Sequence, residues 1–227
     1  MTANLPVYLE IGTKKTFAGA LNWPGLCRSG RDEAAALQAL LDYAPRYVKV
    51  LGKTIPGFQS PTESGNMHVI ETLKGDATTD FGAPGAVPSA DEQPMDDTEL
   101  LRSKKLLQAC WQSLDSAVEK AKGKRLTTGP RGGGRDLQGL IRHVTESAGG
   151  YLASIGWKPQ HIPVINNQNK MEQFRLDLLD GLTAAAHGEL PTVGPRGGIR
   201  WKPRYFVRRL AWHVLDHAWE LEDRSGG

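Results

Sequence analysis

Four long amphipathic stretches constrain the fold of this chain more than any other feature of its sequence. Apolar residues recur at three- and four-residue spacing within 97–122, 136–156, 169–187 and 202–223, which is the period of one face of a helix. Each such face has to be buried against another element. The second part of the chain is therefore predicted to be an all-α four-helix up-down bundle.

The first part of the chain has a different pattern. Val7–Ile11 and residues 14–21 are β-type runs separated by a turn, and residues 67–73 form a third such run. Between them, the Ala- and Leu-rich segment 31–43 predicts a helix that stops before Pro45. This part is therefore predicted to be a small α+β domain.

A Pro- and Gly-rich segment and a change of charge separate the two parts. Residues 1–97 hold 8 Lys+Arg against 12 Asp+Glu, a net charge of −4, whereas residues 98–227 hold 20 against 13, a net charge of +7. Repeated Pro and Gly sustain neither a helix nor a packed strand. The predicted organisation is an α+β domain over 1–80, a linker over 81–96 and a helical domain over 97–227.

Composition sets the broad class of the protein. A content of 39% hydrophobic and 23% charged residues is typical of globular proteins. No run of eighteen apolar residues and no signal-type start occurs, so we expect a cytoplasmic protein without a membrane partner. Cys27 and Cys110, the two cysteines, lack metal-type spacing and are expected to be reduced, buried residues.

Three histidines are candidates for a metal site. His213 and His217 are four residues apart in the last predicted helix, so both imidazoles lie on one face, and His143 lies beside the apolar stripe of the second helix. All three can point toward the interior, as metal ligands must. Helix-borne histidines of this kind are also found as satisfied core residues or as solvated ones, so the spacing alone leaves the choice open.

The region 97–224 resembles the DinB/YfiT-like superfamily. The resemblance is carried by His143 in Leu140-Ile-Arg-His-Val144, by the His213-Val-Leu-Asp-His217 pair, and by the number, order and length of the helices. It implies a three-histidine metal site and a metal-dependent enzyme. Characterised relatives include S-transferases and isomerases in which the metal activates mycothiol, bacillithiol or glutathione.

Three neutral imidazoles suit zinc, with nickel as the alternative, and leave an open coordination position. Such an ion lowers the pKa of bound water or makes a bound thiol a thiolate. We therefore expect thiol-dependent transfer or isomerisation with a low-molecular-weight thiol, and keep metal-assisted hydrolysis and a non-catalytic, metal-stabilised binding protein as alternatives. Glu146 and Glu220 each follow a histidine by three residues. Each is a candidate for a general base, or for a carboxylate that accepts a hydrogen bond from a metal-binding histidine. The alternative is that both are surface carboxylates.

The motif Gly-Pro-Arg-Gly-Gly occurs twice, at 129–133 and at 194–198, each time before a histidine-bearing helix. In an up-down bundle these two helices are parallel, so both loops are expected at the same end. Arg131 and Arg196 would then bind the carboxylates or phosphates of a small anionic substrate or thiol. In the alternative interpretation the loops are tight turns whose arginines cap carbonyls or meet the acidic first domain.

The other basic residues of the last helical region, Arg208 and Arg209 among them, indicate a solvated face or a surface for the acidic domain. No motif that reads DNA or RNA is found, so no nucleic-acid partner is expected.

Residues 5–50 resemble the HicB-like fold, through two strands that end in Trp23-Pro-Gly-Leu26 and the helix entry Ser29-Gly-Arg-Asp-Glu33. Members of that family are often antitoxins or accessory modules, some with an RNase-like ancestry. The acidic balance of this part argues against binding of a polyanion. The domain is expected to be structural, to form a homodimer surface, or to cover a substrate site.

Overall fold

The computed structural model describes residues 4–129, 134–165 and 167–226. The chain divides into two compact units, Met1–Gln93 and Pro94–Gly227. The division confirms an α+β region followed by a helical one.

The first unit is a four-stranded sheet with one long helix on it. Its elements, in chain order, are β1 (Leu5–Ile11), β2 (Thr16–Ala20), β3 (Cys27–Gly30), α1 (Glu33–Leu51), β4 (Met67–Lys74) and α2 (Ala77–Phe81). The strand order is β3-β2-β1-β4, with β1 antiparallel to β2 and parallel to β4. α1 packs on β2 and β3 and buries Ala36, Leu40 and Tyr47 against them.

Helix α1 is longer than predicted, because it continues through Pro45 to Leu51. Proline removes one backbone hydrogen bond of a helix, but tertiary packing compensates here. Ala44 and Tyr47 are fully buried, and the Tyr47 hydroxyl donates a hydrogen bond of 2.8 Å to the carbonyl oxygen of Pro24. The prediction that the helix stops before Pro45 was wrong for this reason.

The first half of the predicted linker packs on the sheet of the first unit. The buried Glu10 carboxylate of β1 accepts hydrogen bonds from the Thr79 hydroxyl (2.5 Å) and from the backbone N–H groups of Gly85 (2.8 Å) and Ala86 (3.0 Å). A buried carboxylate requires such donors. The segment is therefore held by the first unit rather than extended between the two.

The second unit consists of four helices whose positions match the prediction: α3 (Asp97–Ala121), α4 (Leu137–Ile155), α5 (Gln168–Ala186) and α6 (Pro203–Ser225). The apolar stripes that predicted these helices are buried, among them Leu107, Leu114, Leu140, Leu152, Leu178, Leu182, Leu210 and Val214. α6 lies at the centre of the unit, since it is buried along most of its length and packs against α3, α4 and α5.

The directions of the helices differ from the expected up-down arrangement. α3 and α6 are parallel, because Glu99 pairs with Arg204 near their first turns and Lys124 bonds the Ser225 carbonyl near their ends. α4 runs antiparallel to α6, since its last turn is bonded by Arg200, which precedes α6 (3.1 Å to the Ala153 carbonyl).

α5 is antiparallel to α3. His187 at the end of α5 lies 3.1 Å from Asp97 at the start of α3, and Arg175 pairs with Asp115 in the middle of both helices. The order is therefore up-down-down-up, and the up-down prediction was wrong.

The connection between α4 and α5 explains this order. Helix α4 is 19 residues long, about 28 Å, and the dozen or so residues that follow it are able to span roughly 40 Å when extended. Trp157 lies against Gly181 near the end of α5, and the backbone N–H of His161 bonds Asp177 in its middle (2.7 Å). The connection thus returns along α5, so that α5 starts at the same end as α4.

Among the described residues, none of the helices is both long enough and apolar enough to cross a membrane. Cys27 and Cys110 are buried and unbridged, as the sequence indicated.

Candidate metal centre

Two antiparallel helices bring the three predicted histidines together. Asp136 caps the start of α4, since its side chain accepts a hydrogen bond from the Gly139 N–H (2.7 Å), and His143 lies in the second turn of the helix, half buried. α6 is buried along most of its length, and His213 and His217 are 5% and 3% exposed. The convergence that the sequence predicted is present in the structure.

The three imidazoles have the geometry of a ligand cluster. The Nε2 atoms of His213 and His143 are 3.2 Å apart, and one ring nitrogen of each histidine, His217 included, lies within 4.8 Å of the others. The ring centroids are 4.6 to 5.0 Å apart, with the planes steeply inclined to one another. Tetrahedral zinc with Zn–N bonds of about 2.0–2.1 Å holds its ligand atoms about 3.3 Å apart, so the His143–His213 separation fits an ion between them.

Electrostatics favour the neutral imidazole that a metal requires. The pKa of His213 is held well below its ordinary value, first by burial and then by the neighbouring His217, His143, Arg209 and Arg135. Desolvation and nearby positive charge both disfavour an imidazolium. His213 therefore presents a lone pair rather than a charge to the cluster.

Glu220, supported by Arg224, fixes the orientation of the His217 ring. The His217 Nδ1 atom lies 2.8 Å from Glu220 Oε2, and Arg224 donates to Glu220 Oε1 (3.0 Å). The hydrogen bond from His217 is the main reason why the pKa of Glu220 is lowered; burial opposes it and Arg224 adds to it. An ionised Glu220 fixes the proton on Nδ1, so the Nε2 lone pair of His217 faces the other two imidazoles.

Arg224 also joins the two helices that carry the histidines. It is buried and donates to the carbonyl oxygens of Thr127 (2.8 Å) and Arg135 (2.9 Å), which lie before α4. Gly134 makes this approach possible, because a Cβ atom there would lie 2.4 Å from the guanidinium. The start of α4 is thereby fixed to the end of α6.

His213 has no comparable support. Its Nδ1 atom is buried and has no hydrogen-bond partner within the described residues. Buried polar atoms are rarely left unpaired in native structures, and each one needs an explanation such as a catalytic role, a ligand or a bound water. Trp157 Nε1 and Arg200 Nε are also buried and without a hydrogen-bond partner among the described residues, so the convergence of the three rings, rather than this atom alone, marks the cluster.

Tyr151 and Arg209 line the side of the cluster away from Glu220. The Arg209 guanidinium donates to the Tyr151 hydroxyl (3.4 Å) and lies 5.0 Å from the centroid of the Trp212 ring. The Tyr151 ring is 5.7 Å from that of His213. Burial raises the pKa of Tyr151, with Arg209 opposing that shift, so the hydroxyl stays protonated and able to donate.

The sequence did not predict these two residues as part of the site. Arg209 was assigned with Arg208 to a solvated face or a surface for the first domain, whereas both are buried. The available signal was helical spacing, since Arg209 precedes His213 by four residues and Tyr151 follows His143 by eight.

The remaining predicted site residues have different outcomes. Glu220 is brought to the cluster, but Glu146 is exposed on α4 and makes no hydrogen bond or ion pair among the described residues. Arg196 is exposed in the turn from Gly194 to Gly198. Arg131 lies outside the described residues.

The two helices that follow the Gly-Pro-Arg-Gly-Gly motifs do not start at the same end of the helical unit, and most of the first motif lies outside the described residues. Gly134, which follows the first loop, lies against Arg224 at the end of α6. The second loop leads into Arg200 and Trp201, which bond the carbonyls of the last turn of α4. Because α4 and α6 are antiparallel, the expectation that these two helices are parallel and start at one end of the unit was wrong.

Neither a family model, nor a curated protein, nor a solved structure gives a significant match to this chain. Function is therefore inferred from the geometry of the cluster.

Proposed function

We propose that this protein is a metal-dependent enzyme in which His143, His213 and His217 hold a divalent ion, zinc first and nickel as the alternative. The observation that carries the proposal is the convergence of three largely buried imidazoles from two helices, with the Nε2 atoms of two of them 3.2 Å apart. The proposal agrees with the resemblance of the helical region to the DinB/YfiT-like superfamily, whose members have a three-histidine site.

The residues around the cluster have separable tasks. Glu220 keeps the Nδ1 proton on His217, and Arg224 holds Glu220 in place while it fixes the start of α4. A divalent ion bound there would supply a water- or thiol-derived nucleophile at neutral pH, because it lowers the pKa of such ligands. The chain itself orients the ligands and excludes water from their inner side.

Among the proposed chemistries, we favour thiol-dependent transfer or isomerisation over hydrolysis. Both Glu220 oxygens are already engaged, by His217 and by Arg224, and Glu146 is exposed away from these contacts. No free carboxylate therefore lies at the cluster within the described residues to act as a general base for water. A thiol bound as a thiolate needs no such base.

Elemental analysis of the purified protein tests the metal centre. We expect about one zinc or nickel ion per chain, its loss in His143→Ala and His217→Ala, and its retention in the control His187→Ala, whose exposed ring pairs with Asp97. Helical circular dichroism checks the fold of each variant. Equal metal contents in all four proteins would refute the centre.

A second assay separates the chemistries. The metal-loaded protein is mixed with glutathione or cysteine and the electrophile 1-chloro-2,4-dinitrobenzene, and separately with an ester substrate in the absence of thiol. Transfer that requires both metal and thiol supports the favoured reaction. Ester hydrolysis inhibited by thiols would support the hydrolase instead, and metal binding without either activity would support a non-catalytic, metal-stabilised binding protein.

For the first unit, we propose a HicB-like accessory role without nucleic-acid binding, with a homodimer surface as its most direct use. β4 is the edge strand next to β1 and is exposed over most of its length, and Ile70, in a bulge opposite Val7 and Tyr8, is 64% exposed. Light scattering of the full chain and of Ile70→Asp tests this role. A dimer that the substitution abolishes supports it, and a monomeric wild-type chain contradicts it.

A further inference from the structure

The side of the histidine cluster away from Glu220 carries the donors of an anion site. Arg209 lies one helical turn before His213, about 6 Å along α6, and its guanidinium is 5.5 Å from the Tyr151 ring. Tyr151 lies two turns after His143 on α4 and is half buried. A ligand next to His213 would therefore meet a guanidinium and a phenol together.

The hydrogen-bond arrangement leaves the phenol available. Arg209 Nη2 donates to the Tyr151 oxygen, so the hydroxyl proton points elsewhere, and no second partner of this hydroxyl occurs among the described residues. A planar guanidinium beside an O–H donor is suited to the two oxygens of a carboxylate.

The charges around the cluster favour an anion as well. Arg209 lies near His213 on one side, and Arg135, at the start of α4, also acts on it. The Glu220 carboxylate, which is bonded to His217, is neutralised by its ion pair with Arg224. Positive charge beside a partly buried site raises the local concentration of anionic ligands.

We propose that Tyr151 and Arg209 form the anion-binding subsite of this centre and that its ligand is a small molecule with a carboxylate a few bonds from the group that binds the metal. This inference rests on the proposed function, since it takes the three histidines to hold an ion. It assigns anion binding to Arg209 rather than to Arg131 and Arg196 of the glycine loops.

Cobalt(II) substitution tests the subsite without an activity assay. The visible absorption of bound cobalt reports the metal site, and the thiolate-to-cobalt band reports binding of two probes, 3-mercaptopropionate and 3-mercapto-1-propanol, which differ only in the carboxylate. We expect 3-mercaptopropionate to bind at least ~10-fold more tightly, in keeping with a charge-assisted hydrogen bond.

Variants test which residues cause the tighter binding of 3-mercaptopropionate. Tyr151→Phe removes only a hydroxyl and should reduce the preference by about 3-fold or more, whereas Arg209→Lys, which keeps the charge and loses the planar fork, should reduce it further. Arg142→Met, an exposed arginine of α4, is the matched control and should retain the preference. The cobalt spectrum without thiol confirms that each variant folds around the metal.

The outcomes are distinguishable. Absence of a cobalt spectrum from the wild-type protein refutes the metal centre and the subsite with it. A normal cobalt spectrum with less than about a threefold preference for the carboxylate, including no response to either thiol, overturns the subsite alone, as does a preference that is lost in Arg196→Met and kept in both Tyr151→Phe and Arg209→Lys.

Discussion

Buried polar groups occur in both units of this protein, but they are satisfied in different ways. In the first unit, Glu10 is fully buried and accepts three hydrogen bonds from Thr79, Gly85 and Ala86. In the second, His213 is buried with an unpaired Nδ1, and its Nε2 faces another ring nitrogen. The carboxylate of Glu10 is satisfied by the chain alone and stabilises the first unit, whereas the His213 ring has one nitrogen without a partner and another that faces a second ring nitrogen across a distance suited to a shared ion.

The largest expected effect is on metal affinity. His213→Leu removes one of three ligands. Loss of a residue that only hydrogen-bonds to a metal ligand can lower metal affinity by ~100-fold, so loss of the ligand itself should lower the affinity for zinc by more than that. Competition with a chromogenic chelator measures the affinity. His187→Leu, at an exposed histidine, should bind zinc normally.

His213→Leu should also change the stability of the metal-free protein. Replacing a buried imidazole that has an unpaired nitrogen with an apolar side chain should raise the free energy of unfolding by about 1 kcal/mol in the presence of a chelator. Urea denaturation of the two apoproteins measures it. A destabilisation of similar size would mean that His213 is an ordinary core residue.

The opposite result is expected for Glu10. Glu10→Ala leaves one buried and two partly buried donors without this acceptor and should lower the free energy of unfolding by about 3 kcal/mol, with no change in metal content. Urea denaturation and elemental analysis check the two parts of this prediction. The control is Glu92→Ala, at an exposed position of the same unit; a matching loss in the control, or a loss of metal in Glu10→Ala, would contradict it.

Two glutamates that the sequence could not distinguish should now behave differently. Glu220→Gln weakens the acceptor behind His217 and should reduce zinc affinity about 10- to 100-fold. Glu146→Gln, at the same spacing from His143, should change it by less than about 2-fold, because its side chain is exposed. Equal effects of the two substitutions would show that the contact between Glu220 and His217 does not raise the affinity for zinc.

The smallest effect concerns pH and a surface carboxylate of the first unit. The pKa of Asp80 is lowered to about 2 by hydrogen bonds from the Thr13 hydroxyl and the Lys14 N–H. Since the folded-state pKa is below the unfolded value of about 3.9, Asp80 stabilises the fold above pH 4 or so, and this contribution is lost as the pH falls toward 2. The difference in stability between wild type and Asp80→Asn should therefore be full at pH 7, be mostly lost at about pH 2 and vanish below it. A difference that is independent of pH would contradict the assignment.

Much of the fold could be predicted from the sequence because helical periodicity is a local signal. The predicted segment 136–156 corresponds to Leu137–Ile155, and the other three helices of the second unit agree as well. Local sequence patterns gave wrong results where tertiary packing determines the structure. α1 continues past Pro45 because Tyr47 is buried beyond it. The short strand β3 was missed because its sequence, Cys-Arg-Ser-Gly, has no β-type pattern.

The site could be predicted in part for the same reason. The spacing of His213 and His217 is a property of one helix, so their shared face followed from the sequence. The direction of α5 depends on a connection that returns past Asp177, and no local pattern encodes that path. The predicted parallel direction of α4 and α6 was wrong for this reason, while Arg209 was missed because its burial depends on packing with Tyr151 and Trp212 in the folded unit.

The central claim is that three imidazoles of this chain share one metal ion. X-ray absorption spectroscopy of the zinc-loaded protein tests it most directly, since the multiple-scattering pattern of imidazole counts histidine ligands. We predict three histidine nitrogens at about 2.0–2.1 Å from the zinc ion, with one or two further light-atom ligands and no sulfur ligand from the protein. A spectrum with one imidazole or none, or a protein sulfur ligand, would contradict it.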